Sequence, residues 1–306
     1  MKLLGLQTKG WKDYLEEFLL EKRLSGLRER TLFDYSYYVN RFFNGYDGEL
    51  SDFGKLKRRV QEFFSEDLAP ATFNLRRAYL KAFFNFLVEA KVIPENPITF
   101  KRRKTEGRAR AIPKEVLKRL LELPNRRTFT GLRNFVLILL SLDTGIRPSE
   151  ALSLVPDDFN LTSREVKIPA DVAKTKVSRT IPISTITALW VKRLLSVRPK
   201  EWSKDVPVFC SCLGEPLKPE SWARILKNYS KKLGYRITPY DLRHSFALIS
   251  LREGMNPFTL QRILGHADLT MTKRYLALTQ EDLKKGHEEA TPVKLLIKKG
   301  IRKIPV

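Results

Sequence analysis

Five short segments of the 306-residue chain carry, in order, Arg147, Lys174, Arg243, His266 and Tyr275. They read T-G-I-R-P-S-E, K-T-K-V-S-R-T-I-P, Y-D-L-R-H, L-G-H-A-D and T-K-R-Y-L. Guanidinium groups present planar paired donors that fit the non-bridging oxygens of a phosphate, where charge gathers during in-line displacement. Lys174 falls in a predicted turn between two strands. A lysine is usually solvated there, but beside a leaving 5′ oxygen it would donate the proton that an alkoxide needs. Lys176 stands close enough to compete for that role. His266, after Gly265, suits a hydrogen bond to a phosphate oxygen. Tyr275 lies nine residues after His266. A tyrosine on a helix is most often a core residue, but as a nucleophile its phenol would keep the ester energy in a phosphotyrosine, so rejoining needs no ATP. No Asp/Glu grouping resembles a two-metal nuclease, so the scheme predicts no metal and no cofactor.

The elements that must hold these groups are legible in part. Thr238-Pro239-Tyr240-Asp241 is a strong helix start: Thr238 caps, Pro239 suits the first turn, and Asp241 completes a capping box. A helix over about Thr238 to Glu253 then buries Leu242, Phe246 and Ile249. Tyr240 and Arg243, three residues apart, share a face off that stripe, and an arginine at a helix N-terminus suits a phosphate. His244, one position further on, braces the site from inside. Arg147 follows a helix that stops at Thr144-Gly145, so the turn projects its side chain. Pro148-Ser149-Glu150 starts another helix, in which Glu150 is placed to orient a guanidinium. Glu165 to Ile168 and Ser178 to Ile183 read as two strands rich in β-branched residues.

Charge identifies the partner. The formal net charge is +23, with 57 basic residues against 34 acidic, so ion-pair networks cannot absorb the surplus. A polyanion is the natural counterpart, and nucleic acid is the commonest one. Cys210 and Cys212, one residue apart, make neither a disulfide framework nor a complete zinc site, and read as reduced packing residues. No signal peptide and no membrane-spanning apolar run is present, which predicts a cytoplasmic, nucleoid-associated chain with no membrane partner. Only four glutamines occur, a weak mark of a hot habitat.

The predicted fold class is mainly α with a small antiparallel β hairpin. Residues 1–99 read as four helices with an aromatic core. Trp11, Tyr14, Leu15, Phe18 and Leu19 form one buried face; Leu32, Tyr35, Val39 and Phe42 form the next. A third helix covers about Lys55 to Phe64. A fourth, about Thr72 to Glu89, carries Leu75, Tyr79, Leu80, Phe83 and Leu87. Arg76, Arg77 and Lys81 on that last helix are candidate phosphate contacts. Residues 100–111 read as a basic linker, K-R-R-K-T-E-G-R-A-R, whose Lys101, Arg102, Arg103 and Lys104 would lie along a nucleic-acid backbone and order on contact. Residues 112–290 form the mixed catalytic part, with further helices over about Lys114 to Leu123, Gly131 to Leu142, Thr185 to Ser196, Glu220 to Leu233 and on either side of Gly265. Residues 291–306 are a basic tail around Leu295, Leu296 and Ile297.

The ordered set resembles the tyrosine recombinase (phage integrase) family over essentially the whole chain. T-G-I-R-P-S-E-A-L-S-L looks like its first arginine box, and D-L-R-H-S-F-A with I-L-G-H-A-D-L-T-M-T-K-R-Y looks like its second. Lys174, eight residues before Pro182, stands where the family places its hairpin lysine. The resemblance implies a helical core-binding (SAM-like) domain followed by a mixed catalytic domain, closing as a C-shaped clamp on double-stranded DNA. It implies Tyr275 as the nucleophile forming a 3′-phosphotyrosine, Arg147, Arg243 and His266 stabilising the phosphorane, and Lys174 as general acid. It further implies a free monomer that becomes a homotetramer on specific recombination sites, with the C-terminal tail passed to a neighbouring protomer.

One position departs from the family. A histidine usually stands three residues before the second arginine, and here it is Tyr240. An imidazole titrates near neutrality and accepts a proton, whereas a phenol at pH 7 is mainly a neutral donor. Tyr240 is therefore expected to position a phosphate oxygen. Some archaeal virus and plasmid integrases resemble this chain in that replacement, which tilts the expectation toward a mobile-element integrase. The competing readings are an Xer-like dimer-resolution recombinase, a DNA-binding relative that has lost catalysis, and a type IB topoisomerase-like enzyme.

Overall fold

The computed structural model describes residues 9–104, 111–266 and 288, so Tyr275, the basic tail and the helix expected after Gly265 lie outside the described residues. The chain divides into two compact units, Met1–Glu106 and Gly107–Val306.

The first unit is built from α1 (Trp11–Leu24), α2 (Glu29–Phe43), α3 (Phe53–Ser65) and α4 (Pro70–Glu89). Aromatic residues at helical spacing make its core. Phe18, Phe42, Phe83 and Phe84 are fully buried, and Phe42 meets Phe84 edge-to-face with ring centroids 5.4 Å apart. Such offset geometry sets each ring's positive edge against a neighbour's negative face. Asp52 caps α3 by accepting from the Lys55 amide at 2.8 Å, and Pro70 opens α4 at its first position, where no amide hydrogen is needed.

Two expectations for α4 change. Leu75, assigned to the buried stripe, is 45% exposed, and Phe73 takes the inward place. Arg76, a candidate phosphate contact, is only 4% exposed: it donates to Glu66 at 2.7 Å and lies over Phe63, so the core and a carboxylate engage it.

The basic run is ordered where it begins. The Asn74 amide donates to the Arg103 carbonyl at 2.8 Å and its oxygen accepts from the Arg103 amide at 2.9 Å. The Arg103 guanidinium lies 3.9 Å over Phe73 and donates to the Leu68 carbonyl. Residues up to Lys104 thus belong to the helical unit, with Arg103 as the anchor of the run; residues 105–110 lie outside the described set.

The second unit runs α5 (Lys114–Glu122), α6 (Phe129–Thr144), α7 (Pro148–Ser153), β1 (Phe159–Asn160), β2 (Glu165–Ile168), β3 (Arg179–Pro182), α8 (Thr185–Ser196), α9 (Pro219–Leu233), α10 (Pro239–Arg252) and α11 (Pro257–Leu264). The three strands form one antiparallel sheet in the order β1-β2-β3, with Val166 opposite Ile181 and Ile168 opposite Arg179. β1 was not foreseen; two residues are too short for periodicity to register. α6 is buried on nearly every side and packs against α8 and α10, the behaviour of a helix apolar all round. Cys210 is buried in this unit, and burial pushes its thiol up from its ordinary value, which leaves it unreactive. Cys212 is exposed, so the packing role expected of both belongs to Cys210.

Candidate phosphate-binding site

Two turns frame the site, and each ends a helix. α6 stops because Gly145 adopts φ +59°. α11 stops because Gly265 adopts φ +61°. Glycine takes this left-handed conformation without the clash a Cβ brings. Space demands it as well: a Cβ on Gly145 would run into the Phe246 ring and come within 2.7 Å of Leu264 Cδ2. α10 lies across both turns. Its N-terminus is held by the reciprocal capping box, in which Thr238 N donates to Asp241 at 2.7 Å and Asp241 N donates to Thr238 Oγ1 at 3.3 Å.

Two arginines of the second unit converge on these turns. Arg243 Nη1 donates to the Gly145 carbonyl at 2.6 Å and Nη2 to the Leu264 carbonyl at 3.0 Å. The same Nη2 lies 3.0 Å from His266 Nε2. A guanidinium only donates, so Nε2 accepts and the ring's proton sits on Nδ1 in this arrangement. Arg147 Nη2 donates to the Gly265 carbonyl at 2.8 Å, and Nη1 to Glu150 Oε1 at 2.9 Å. Arg147, Arg243 and His266, drawn from three separate segments, are thereby brought together.

Arg243 is 4% exposed, whereas Tyr240 is 55% exposed. The expectation that the two share a face apart from the core is corrected. α10 buries a wide arc that includes Leu242, Arg243, Ser245, Phe246 and Ala247, because α6 and α11 cover it from two sides. Ile249 is half-buried, as is His244.

Glu150 binds Arg147 as its position in α7 suggested, and it also holds a partner that sequence reasoning missed. Arg179 on β3 donates Nη2 to Glu150 Oε2 at 2.5 Å and Nη1 to Oε1 at 3.2 Å. Glu150 is completely buried. Burial alone would raise its carboxyl, but Arg179 and then Arg147 outweigh it and hold the carboxyl below the ordinary carboxylate range. A signal for Arg179 existed. It shares a strand face with buried Ile181 and pairs in register with buried Ile168, and an arginine on a strand's inner face needs acceptors for its fork, which a carboxylate meets with both oxygens.

Lys174 lies in the turn between β2 and β3, next to the fully buried Ala173. Ala173 N donates to the Pro169 carbonyl, and its own carbonyl accepts from Lys176 N at 3.0 Å, so the turn is tied down at its centre. Lys176 adopts φ +54° and is exposed. In the first unit, Arg77 is half-buried and donates to the Phe100 carbonyl at 2.8 Å; Lys81 is half-buried.

Comparisons with known proteins place the chain in a family. The sequence pattern of the phage integrase family matches residues 110–282. The tyrosine recombinase XerA of Pyrococcus furiosus is 31% identical over 296 residues, covering 93% of this chain and 96% of that protein. The tyrosine recombinase XerD of Listeria monocytogenes is 29% identical over 299 residues, covering 92% and 98%. Among solved structures, the Tn1549 transposon integrase in complex with a circular intermediate DNA has the same fold, with a TM-score of 0.73, 20% identity, and coverage of 90% of this chain and 99% of that one. A match over more than half of the chain, and a relative 31% identical over nearly all of it, establish that the chain belongs to the phage integrase family, and it is a tyrosine-type site-specific DNA recombinase.

Proposed function

We propose that this recombinase cleaves and rejoins double-stranded DNA at specific sites by two successive transesterifications at phosphorus. The Tyr275 phenolic oxygen attacks phosphorus as its proton passes to solvent, the bond from phosphorus to the 5′ oxygen breaks, and a 3′-phosphotyrosine forms. Lys174 gives the leaving 5′ oxygen its proton. Arg147 and Arg243 carry the charge that builds on the non-bridging oxygens, and His266 donates from its ring. Reversal with a different 5′ hydroxyl as nucleophile seals the new strand without ATP or metal, because each step exchanges one phosphoester for another. Tyr240, exposed at the start of α10, orients a phosphate oxygen. Lys176, Arg77, Lys81 and Lys101 to Lys104 contact the backbone, and four protomers assemble two sites.

The observation that carries this reading is the meeting of Arg147, Arg243 and His266 at two helix ends. Charge adds to it: a surplus of +23 suits a polyanion. Solved neighbours include integrases and the recombinase XerH bound to DNA. Integration or excision of a mobile element is the preferred biological role, resting on Tyr240 in place of the usual histidine. The whole-length match to XerA and XerD favours a second role, resolution of chromosome or plasmid dimers.

The test is covalent trapping. Nicked duplexes with a randomised segment are incubated with the protein, and adducts that survive denaturation are recovered and sequenced. The enriched duplex then serves as a suicide substrate. Adduct formed by the wild type and lost in Tyr275→Phe supports the reading; adduct retained in Tyr275→Phe refutes it. Products joining two duplexes separate recombination from mere relaxation of supercoils.

A further inference from the structure

Arg179 is tied into a closed ring of contacts. It forks onto Glu150 through both terminal nitrogens, Glu150 holds Arg147 at 2.9 Å, and Arg147 holds the Gly265 carbonyl at 2.8 Å. The ring closes because Gly265 lies flat against Arg179: a Cβ there would stand 2.9 Å from Nε and 3.0 Å from Cζ. Nε also points to the Ile263 carbonyl at 3.4 Å. Arg179 thus touches the carboxylate that orients one phosphate-binding arginine and the turn that carries His266. It is also the first residue of β3, following the turn that holds Lys174.

The charges give this ring a purpose. Arg147 and Glu150 alone cancel, which leaves nothing for a phosphate at that position. Adding Arg179 makes the triad net positive by one. Glu150 can then fix the Arg147 guanidinium in place without neutralising the site. A guanidinium suits the task because its planar fork meets both carboxylate oxygens at once, which an ammonium cannot.

We propose that Arg179 is a positioning residue for phosphoryl transfer: it takes up the charge of Glu150 so that Arg147 faces the scissile phosphate as a fixed net cation, and it braces the Gly265–His266 turn. The inference rests on the reading of Tyr275, Arg147 and Arg243 given above. Arg179 touches no reacting atom in this scheme and works through Glu150 and Gly265.

The experiment measures single-turnover adduct formation on the enriched suicide duplex, alongside the dissociation constant for that duplex. Arg179→Met should slow adduct formation by about 10²–10³-fold, the usual cost of losing one electrostatic donor, with the dissociation constant changed by no more than about threefold. Adding Glu150→Gln to Arg179→Met removes the carboxylate that would otherwise cancel Arg147 and should recover about tenfold or more of the rate near pH 7.5. A brace with only a packing role would not be rescued by losing a second member of the bridge. For the same reason the deficit of Arg179→Met should shrink as pH falls and Glu150 takes up a proton, and this trend should vanish in the double variant. Arg179→Lys keeps the charge without the fork, so it should fold and lose roughly tenfold, which keeps the test open should Arg179→Met be unstable. Adduct formation by Arg179→Met within about threefold of wild type, or a double variant no faster than the single one, overturns the proposal while leaving the phosphotyrosine reading intact. If the wild type forms no adduct, or Tyr275→Phe still does, the wider reading fails and the role of Arg179 falls with it.

Discussion

Gly145 and Gly234 have nearly the same backbone, φ +59° and +65°, but different surroundings. Around Gly234 nothing lies within 4 Å of where a Cβ would sit; around Gly145 the Phe246 ring and Leu264 already fill that place. Gly234→Ala therefore carries left-handed strain alone, about 1–2 kcal/mol. Gly145→Ala carries the same strain plus overpacking of about 1–3 kcal/mol, for a sum of roughly 2–5 kcal/mol. In a unit of this size each kcal/mol lowers Tm by about 2–4 °C, so Gly145→Ala should melt about 2–12 °C below Gly234→Ala. Tryptophan emission follows the right unit, because Trp190, Trp202 and Trp222 lie in the second and Trp11 in the first. Function should separate the pair further. Gly145 presents the carbonyl that Arg243 holds at 2.6 Å, so the displaced turn should lower adduct formation in Gly145→Ala and leave Gly234→Ala near wild type. Equal melting losses for the two variants would refute the claim that crowding at this turn, and not φ alone, maintains the site.

Three further outcomes are expected. Tyr240→Phe, which deletes one exposed hydroxyl, should slow cleavage by about tenfold with DNA binding unchanged, the worth of one hydrogen bond to a charged oxygen; an unchanged rate would remove Tyr240 from the site. Glu150, held below the ordinary carboxylate range, contributes stability that is full above that range and is lost as pH falls through its depressed value; Glu150→Gln should therefore flatten the acid side of a plot of Tm against pH, as scanning calorimetry would show. Log–log plots of DNA affinity against salt should have a slope steeper than about −5, one counterion being released for each neutralised phosphate, and a slope near zero in filter binding would contradict the charge argument.

The sequence was most informative where one local rule decides the outcome. Thr238-Pro239-Tyr240-Asp241 begins α10 because a capping box needs only four adjacent residues, and α8 runs from Thr185 to Ser196 as periodicity predicted. Gly145 and Gly265 marked helix ends for equally local reasons. Long-range packing was not legible. Arg243 lies on a face of α10 that looked open from its own helix, but α6 and α11 close over it. Arg76 resembles a phosphate contact until Glu66 and Phe63, ten and thirteen positions away, are seen to engage it. Asn74 reads as an ordinary polar helix residue, and only its pairing with Arg103, 29 residues on, shows why the basic run begins ordered. Arg179 was hidden for the same reason, since its partners lie 29 and 84 residues away.

Buried cations are ordinarily neutralised by carboxylates, and neutralisation would defeat a phosphate-binding site. The second unit resolves this conflict with helix ends. The last carbonyls of a helix lack intrahelical partners and form the negative pole of its dipole. α6 and α11 bring two such poles together, and Arg243 donates to Gly145 at one and Leu264 at the other. Arg147 takes the next carbonyl, that of Gly265. Dipolar acceptors fix the guanidinium planes while contributing no net charge, so the positive field survives for the ligand. Glu150 is the carboxylate in the cluster, and it is matched by Arg179 in addition to Arg147. It follows that placing a carboxylate at the turn should harm the reaction more than placing a neutral side chain of the same shape there does. Ile146→Asp, one residue before Arg147, would add a charge beside Gly145 where a buried apolar side chain now sits. Ile146→Asn, close to it in size and polarity but uncharged, is the control. The aspartate variant should cleave the suicide duplex more slowly than the asparagine variant, and equal rates at equal folded fraction would show that net charge at this turn does not govern the chemistry.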